Sequence, residues 1–306
     1  MNSSNPYGAR STADDVLSGV NLAGKTILVT GCNSGLGLET IKVLSAHGAR
    51  IIGLARSLDS AQKACANAGA SATPVACDLS DLASVSIAID TIRRLGTPLD
   101  AIVTNAGIAA PSKLDVRYGV ELQFLVNHIS HFYLVTRLID LVPDQTGRVV
   151  IGSSSSSTDQ APKEGILFDN LDGHRYYKPF TFYGQSKLAT ALFAKELSSR
   201  LAGRGIAVNS YHPGATRGTN LNVNLSLPLR LVLQVAQLFM KSVPQGAATQ
   251  TMLAASPLIQ GTTGEYWSDC HVAKGSKFLA DQALATRLWN VSEQLISEHS
   301  RGAARC

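Results

Sequence analysis

Short apolar runs alternate with longer amphipathic stretches from Lys25 onward. Runs of roughly four to eight apolar or β-branched residues bounded by turn residues indicate buried strands, and a period near 3.6 indicates helices. On this pattern the predicted strands are Thr26–Thr30, Ala49–Leu54, Ala72–Cys77, Asp100–Thr104, Arg148–Ile151 and Ile206–Tyr211. Helices are predicted between them: Gly37–His47 (stopped by Gly48), Ser60–Ala68, Leu82–Leu95, a long one over Asp115–Leu141, and Tyr183–Leu201. Apolar strands alternating with helices indicate parallel βαβ units with both sheet faces covered. Right-handed crossovers then give an α/β, Rossmann-type doubly wound parallel sheet in a single domain. No internal repeat or linker divides the chain, and the serine run Ser153–Ser157 is its one low-complexity patch.

Two constellations within this pattern carry chemistry. After the first strand comes Thr30-Gly31-Cys32-Asn33-Ser34-Gly35-Leu36-Gly37, which opens a helix. Gly31 permits a tight turn, Gly35 lets backbone approach a phosphate, and Gly37 allows close packing of helix on strand. A helix N-terminus there can receive a pyrophosphate. The second is Tyr183-Gly184-Gln185-Ser186-Lys187. Residues i and i+4 share one helix face, so a phenol and an ammonium point into the same space. A nearby cation favours the phenolate, which predicts that Tyr183 exchanges protons near neutral pH.

Where dinucleotide folds carry a ribose-binding carboxylate after the second strand, this chain has Ala55 followed by Arg56. A missing carboxylate with an adjacent guanidinium suits a 2′-phosphate; the plainer alternative is a solvent-facing loop arginine. Asp78-Leu79, after the third strand, suits an adenine contact, a helix N-cap, or both.

Composition narrows the classes further. The chain has 306 residues, 45% hydrophobic and 16% charged, which suits a soluble core and excludes disorder. Its formal net charge of +5 has no strong basic block, so the expected anionic partner is a cofactor and not nucleic acid. Cys32, Cys65, Cys77, Cys270 and Cys306 show no metal-ligand spacing, and their scatter points to free thiols in a reducing compartment. His128, His131 and His212 are likewise not spaced as a metal site. Met1–Leu22 lacks the basic start and apolar run of a signal peptide. The most apolar stretch, Leu225–Met240, is interrupted by Arg230, Gln234 and Gln237, so no integral membrane segment is expected and a cytoplasmic location follows.

Taken with further motifs, the chain resembles the short-chain dehydrogenases/reductases, and among them the retinol dehydrogenase and WW-domain oxidoreductase branch. The resemblance runs from about Asn21 to Cys270. Besides the glycine turn and the Tyr–Lys pair, it rests on Asp78-Leu79, Asn105-Ala106-Gly107, Val126-Asn127-His128 with His131-Phe132, Arg148–Ser154, His212-Pro213-Gly214, and Gly264-Glu265-Tyr266 with Asp269-Cys270. It implies that Tyr183 exchanges the proton with the substrate oxygen and that Lys187 binds the nicotinamide ribose and depresses the tyrosine pKa. Asn127 would hold a water in the relay, although an Asn within a helix can also serve a kink. The register of 148–154 selects Ser154 to bond the substrate oxygen, with Ser153 and Ser155 as competitors.

The same resemblance implies a cofactor site built from Gly31, Asn33, Ser34, Gly35, Leu36, Gly37, Arg56, Asp78, Leu79, Asn105, Ala106, Gly107, Tyr183, Lys187, Pro213, Gly214 and Thr216. No metal is required, because the cofactor carries the hydride. The expected organisation is a polar arm over 1–24 and a dinucleotide-binding catalytic domain over 25–306, with substrate segments around 158–182 and 215–245. The expected activity is NADP(H)-dependent interconversion of a ketone or aldehyde with an alcohol, on a hydrophobic substrate. The expected partner is thus a small carbonyl or alcohol, with room for a homo-oligomer. Two other readings stay open: a catalytically silent NADP(H)-binding module, and a double-bond reductase resembling protochlorophyllide reductase.

Overall fold

The computed structural model describes residues 5–69, 71–217 and 240–303. An eight-stranded sheet forms its centre, built from β1 (Thr26–Thr30), β2 (Arg50–Ala55), β3 (Ala72–Ala76), β4 (Ala101–Thr104), β7 (Arg148–Gly152), β8 (Ala207–His212), β9 (Tyr266–Ser268) and β10 (His271–Val272). Two short strands, β5 (Val116–Arg117) and β6 (Val120–Glu121), form a separate hairpin. The sheet order is β10-β9-β8-β7-β4-β1-β2-β3. All its neighbours are parallel except β9 and β10. The order reverses between β1 and β4, and such a switch point opens a ligand crevice at the carboxyl ends of the strands.

Side-chain alternation along the strands splits the core into two layers. Leu28 faces one layer, with helices Leu82–Arg94, Ser130–Leu138, Pro179–Arg200 and Gln282–Ala303. Ile27 and Val29 face the other, with helices Gly35–Ala46 and Val243–Ala255. The N-terminal arm belongs to this second layer, because Ala13, Val16, Leu17 and Leu22 are buried in it. Its backbone bonds Pro244, and Asn5 Nδ2 donates to the Cys270 carbonyl at 2.6 Å.

Two predicted helices differ from the observed ones, and two observed strands lie beyond those predicted. The long helix expected over Asp115–Leu141 is a hairpin followed by a helix. Tyr118 and Gly119 both take positive φ (52° and 75°), which turns the chain back. Glu121 then caps the new helix, accepting from the N–H groups of Gln123 and Phe124. Inside that helix Leu125–Ile129 widens into a π-turn, and a 3-10 turn over Ile139–Leu141 ends it.

The helix expected to begin at Tyr183 begins a turn earlier, at Pro179, whose fixed φ and missing N–H suit a first helical position. Strands β9 and β10 extend the sheet beyond the predicted six. They were not legible as strands because they are two or three residues long and owe their form to β8 and to the turn at Asp269-Cys270, both at positive φ.

Candidate functional site

A cleft of about 1090 Å³ opens at the carboxyl ends of the central strands. Its volume is at the upper end of the roughly 300–1,000 Å³ usual for ligand pockets. The glycine turn forms its floor. Gly31 sits at φ +66°, and a Cβ there would lie 2.9 Å from Ala106 Cα. A Cβ on Gly37 would lie 2.2 Å from the Gly31 carbonyl oxygen and 2.5 Å from Asn105 Nδ2. These glycines let the exits of β1 and β4 touch. The Ser34 side chain makes no cap bond to the helix Gly35–Ala46, so the first-turn N–H groups are left for an anion. Asn33, Ser34, Gly35 and Leu36 all line the cleft. This cradle fits a dinucleotide pyrophosphate.

Side-chain hydrogen bonds lock the turn. Asn105 Nδ2 donates to the carbonyls of Thr30 at 3.0 Å and Gly31 at 3.3 Å. Thr30 Oγ1 accepts from the N–H groups of Asn105 and Ala106 at 3.0 and 3.1 Å. It also meets His131 Nε2 at 2.9 Å, while His131 Nδ1 meets the Asn127 carbonyl at 3.0 Å. Burial pushes His131 down to about 4, so the ring is neutral. A carbonyl only accepts, so Nδ1 carries the proton and Nε2 accepts from the Thr30 hydroxyl. His131 therefore joins the glycine turn to the Asn127 backbone. Gln250 supports the same corner: it bonds Tyr211 and Thr40, and Nε2 reaches Asn105 Oδ1 at 3.3 Å. Neither Gln250 nor the His131–Thr30 link was anticipated, because both join segments distant in sequence.

At the other end Ala55, Arg56, Ser60, Asp78 and Leu79 line the cleft. Asp78 does not cap the following helix; Asp81 does, accepting from the Ala83 N–H at 3.0 Å. The Asp78 carboxylate instead shapes its own loop, with Oδ1 accepting from Ser80 N at 2.9 Å and Ser80 Oγ at 2.8 Å.

Ser154, Tyr183 and Lys187 meet at the middle of the cleft. The three serines that competed in sequence are separated by what they touch. Ser153 Oγ donates to the Lys187 carbonyl at 2.7 Å and is spent on the helix. Ser155 is exposed at the start of a short helix, Ser156–Asp159. The Ser154 hydroxyl favours the Tyr183 phenolate, and its Oγ accepts from Ser156 N at 3.2 Å and donates to Ser156 Oγ at 3.3 Å.

Lys187 is buried, and its Nζ donates to the Gly152 carbonyl at 3.2 Å. Burial lowers its pKa to about 8. Tyr183 departs from the expectation. Burial raises the phenol above its ordinary value, and the Ser154 hydrogen bond offsets only part of that. Lys187, itself disfavoured as a cation by burial, is not among the groups that lower it. Desolvation outweighs the expected charge effect.

Asn127 lies in the π-turn with its side chain fully engaged. Oδ1 accepts from Ile108 N at 2.9 Å, and Nδ2 donates to the Ile108 carbonyl at 3.0 Å and to Ser186 Oγ at 2.9 Å. A Cβ on Gly107 would lie 3.0 Å from Asn127 Oδ1 and 3.3 Å from Lys187 Nζ, so these three residues converge.

The buried lysine gives a test independent of any ligand. The folded chain releases the Lys187 proton near pH 8 and the unfolded chain near the ordinary 10.5. Between those values the unfolded state binds more protons, so stability rises with pH. Compared with Lys187→Met, wild-type stability should gain up to about 1.4 kcal/mol per pH unit across that window. Denaturant melts from pH 7 to 10 measure it, and a constant difference between the two proteins would mean the ammonium is not desolvated.

The two segments expected to meet substrate contribute unequally to the cleft lining. His212, Pro213, Gly214 and Thr216 line the cleft. Beyond them Thr216 pairs with Lys241, whose ammonium bridges to Asp269 at 2.5 Å. Of the apolar stretch 221–240, only Met240 is described, and it lines the cleft; the rest lies outside the described residues.

The segment 158–182 contributes no lining residue. Its aromatics pack elsewhere: Tyr176 and Tyr177 against Phe182, and Phe168 under Arg287. Tyr177 does donate to the Pro111 carbonyl at 2.7 Å, next to the lining loop. Thus the segment covers helix faces and supports the cleft wall from behind. Among the described residues, no cluster could hold a metal ion and no helix is long and apolar enough to cross a membrane.

Comparison with known proteins identifies the family. A profile described as short chain dehydrogenase matches residues 25–166. Short-chain dehydrogenase TIC 32 B, chloroplastic, of Brassica napus is 36% identical over 306 residues, covering 95% of this chain and 94% of its own. The WW domain-containing oxidoreductase of Drosophila melanogaster is 35% identical over 301 residues, covering 95% of this chain and 73% of its own. The solved structure of an uncharacterized Mycobacterium paratuberculosis protein superposes with a TM-score of 0.71 at 28% identity, covering 94% of this chain and 97% of that one. Because identity of 35–36% extends over 95% of its length, the chain belongs to the short-chain dehydrogenase/reductase family of oxidoreductases, whose members bind a nicotinamide cofactor.

Proposed function

We propose that the protein is an NADP(H)-dependent oxidoreductase that interconverts a ketone or aldehyde with an alcohol. The observation that carries this reading is the convergence of Ser154, Tyr183 and the buried Lys187 in one cleft. A bound nicotinamide would supply the hydride or take it. Tyr183, held protonated by burial, donates a proton to the substrate oxygen in the reductive direction. Ser154 holds that oxygen in line. Asn127 has both side-chain donor positions committed, so its contribution is to fix Ile108 and, through Gly107, the space around Lys187; a relay water would bond its backbone carbonyl. Ile108, Ala109 and Met240 in the wall favour a hydrophobic substrate. Four buried free thiols suit a reducing, cytoplasmic setting.

Preference for NADP(H) over NAD(H) rests on Arg56, which lines the cleft where a ribose-binding carboxylate would otherwise stand; Ala55 there is buried. Arg56→Ala should weaken NADPH binding at least about tenfold, the scale of a charge-assisted hydrogen bond. NADH binding should hardly change. Equal losses for both cofactors in a titration would show that Arg56 does not read the phosphate. The function itself is tested by NADPH oxidation across a panel of carbonyls and activated alkenes, with NADH as control. Turnover of bulky apolar carbonyls is expected. Turnover confined to alkenes would make the protein a double-bond reductase, and tight NADPH binding without any turnover would make it a binding module.

A further inference from the structure

The hairpin that replaces the start of the expected 115–141 helix brings into the cleft a basic side chain that no motif marks. Arg117, on β5, lines the cleft. Its guanidinium is fixed on two sides. Nε and Nη2 face the two Asp115 carboxylate oxygens at 3.4 and 3.2 Å, and Nη1 donates to Ser80 Oγ at 3.0 Å. Ser80 in turn donates to Asp78, so a continuous chain of contacts runs Asp115–Arg117–Ser80–Asp78. The hairpin tip is pinned to the same loop, because the Tyr118 hydroxyl donates to Asp81 Oδ1 at 2.6 Å.

We propose that Arg117 recognises the adenine ring of the cofactor by presenting the face of its guanidinium to the base. The proposal rests on the nicotinamide-dinucleotide reading above. Asp115 offsets the charge and occupies two edge positions, and Ser80 occupies a third. What remains is a poor match for a phosphate, which pairs with the free fork of an arginine. It is a good match for an aromatic face, because the guanidinium is planar, weakly hydrated and already held in place. The side chain is 46% exposed, so it is not packed under other groups. Asp78, two contacts away, brings a carboxylate to the same end of the cleft. Division of labour follows: Arg56 reads the 2′-phosphate, and Arg117 reads the base that NADPH and NADH share.

Titration with NADPH, NADH, 5′-AMP and nicotinamide mononucleotide tests this. Arg117→Ala should weaken the first three alike, by about tenfold, and leave the mononucleotide unchanged. Arg117→Lys, which keeps the charge and loses the plane, should behave like alanine; it also decides the matter if the alanine variant fails to fold. Normal 5′-AMP affinity in Arg117→Ala would overturn the proposal. So would rescue by lysine, which would make Arg117 a simple charge, or an equal loss of nicotinamide mononucleotide binding, which would make it a brace for the whole cleft. Failure of wild type to bind either dinucleotide would sink the cofactor reading itself, a different result from normal binding in the variants.

Discussion

Tyr183→Phe should lower turnover by about 10²–10⁴-fold, the usual worth of a general acid–base group, while NADPH affinity stays close to wild type. The substitution removes one oxygen and preserves the ring in its half-buried place on helix Pro179–Arg200. That oxygen is the one whose ionisation the Ser154 hydroxyl favours. Initial rates on the best carbonyl, together with a cofactor titration, separate the two quantities. Near-normal turnover by a folded variant would remove Tyr183 from the chemistry and with it the mechanism proposed above. A large loss of NADPH affinity would instead make the hydroxyl a binding group.

The largest effect on stability should come from Trp289→Ala, at about 3–5 kcal/mol for a buried aromatic cut to a methyl. Trp289 lies on the C-terminal helix Gln282–Ala303 and is 8% exposed. Its ring meets Phe132 edge-on at 4.8 Å and Phe193 at 5.9 Å, and the Arg200 guanidinium lies over it at 4.1 Å. Phe193 and Arg200 belong to the helix that carries Tyr183 and Lys187. Ser292, one turn beyond Trp289, meets His128 Nε2 at 2.8 Å beside Asn127. The C-terminal helix therefore backs both elements that hold the side chains proposed to be catalytic. Denaturant unfolding measures the cost, and a loss below about 1 kcal/mol, the level of an ordinary surface change, would mean that the helix is only loosely seated.

Much of the cleft was legible because its signals are local. The six predicted strands all occur, with ends shifted by at most one residue. The glycine turn was readable as strand–turn–helix, and the physical need for its glycines is visible where a Cβ on Gly31 or Gly37 would strike neighbouring atoms. The hairpin at Val116–Glu121 was missed because its apolar residues continue the period of the helix that follows. The turn at Tyr118-Gly119 breaks that period only by adopting positive φ. Within the segment 158–182, Tyr176 and Tyr177 pack on Phe182 and Phe168 lies under Arg287, contacts that spacing alone does not show.

The sequence by itself determined the sheet, the glycine cradle and the pairing of Tyr183 with Lys187 on one helix face, since each depends on residues within a turn or a single βα unit. Tertiary structure decided what lies between distant segments. It turned Ser153 onto the Lys187 carbonyl and left Ser154 as the serine whose hydroxyl acts on Tyr183. It set the Tyr183 pKa above its ordinary value, because burial is a property of the whole assembly and outweighs the nearby cation that the spacing supplies. It joined Thr30, His131 and Asn127 into one neutral hydrogen-bonded link, and it carried Arg117 to the far end of the cleft. Spacing along a chain fixes which side chains share a face. Desolvation and contact across about a hundred residues, as between Thr30 and His131, exist only once the layers have closed.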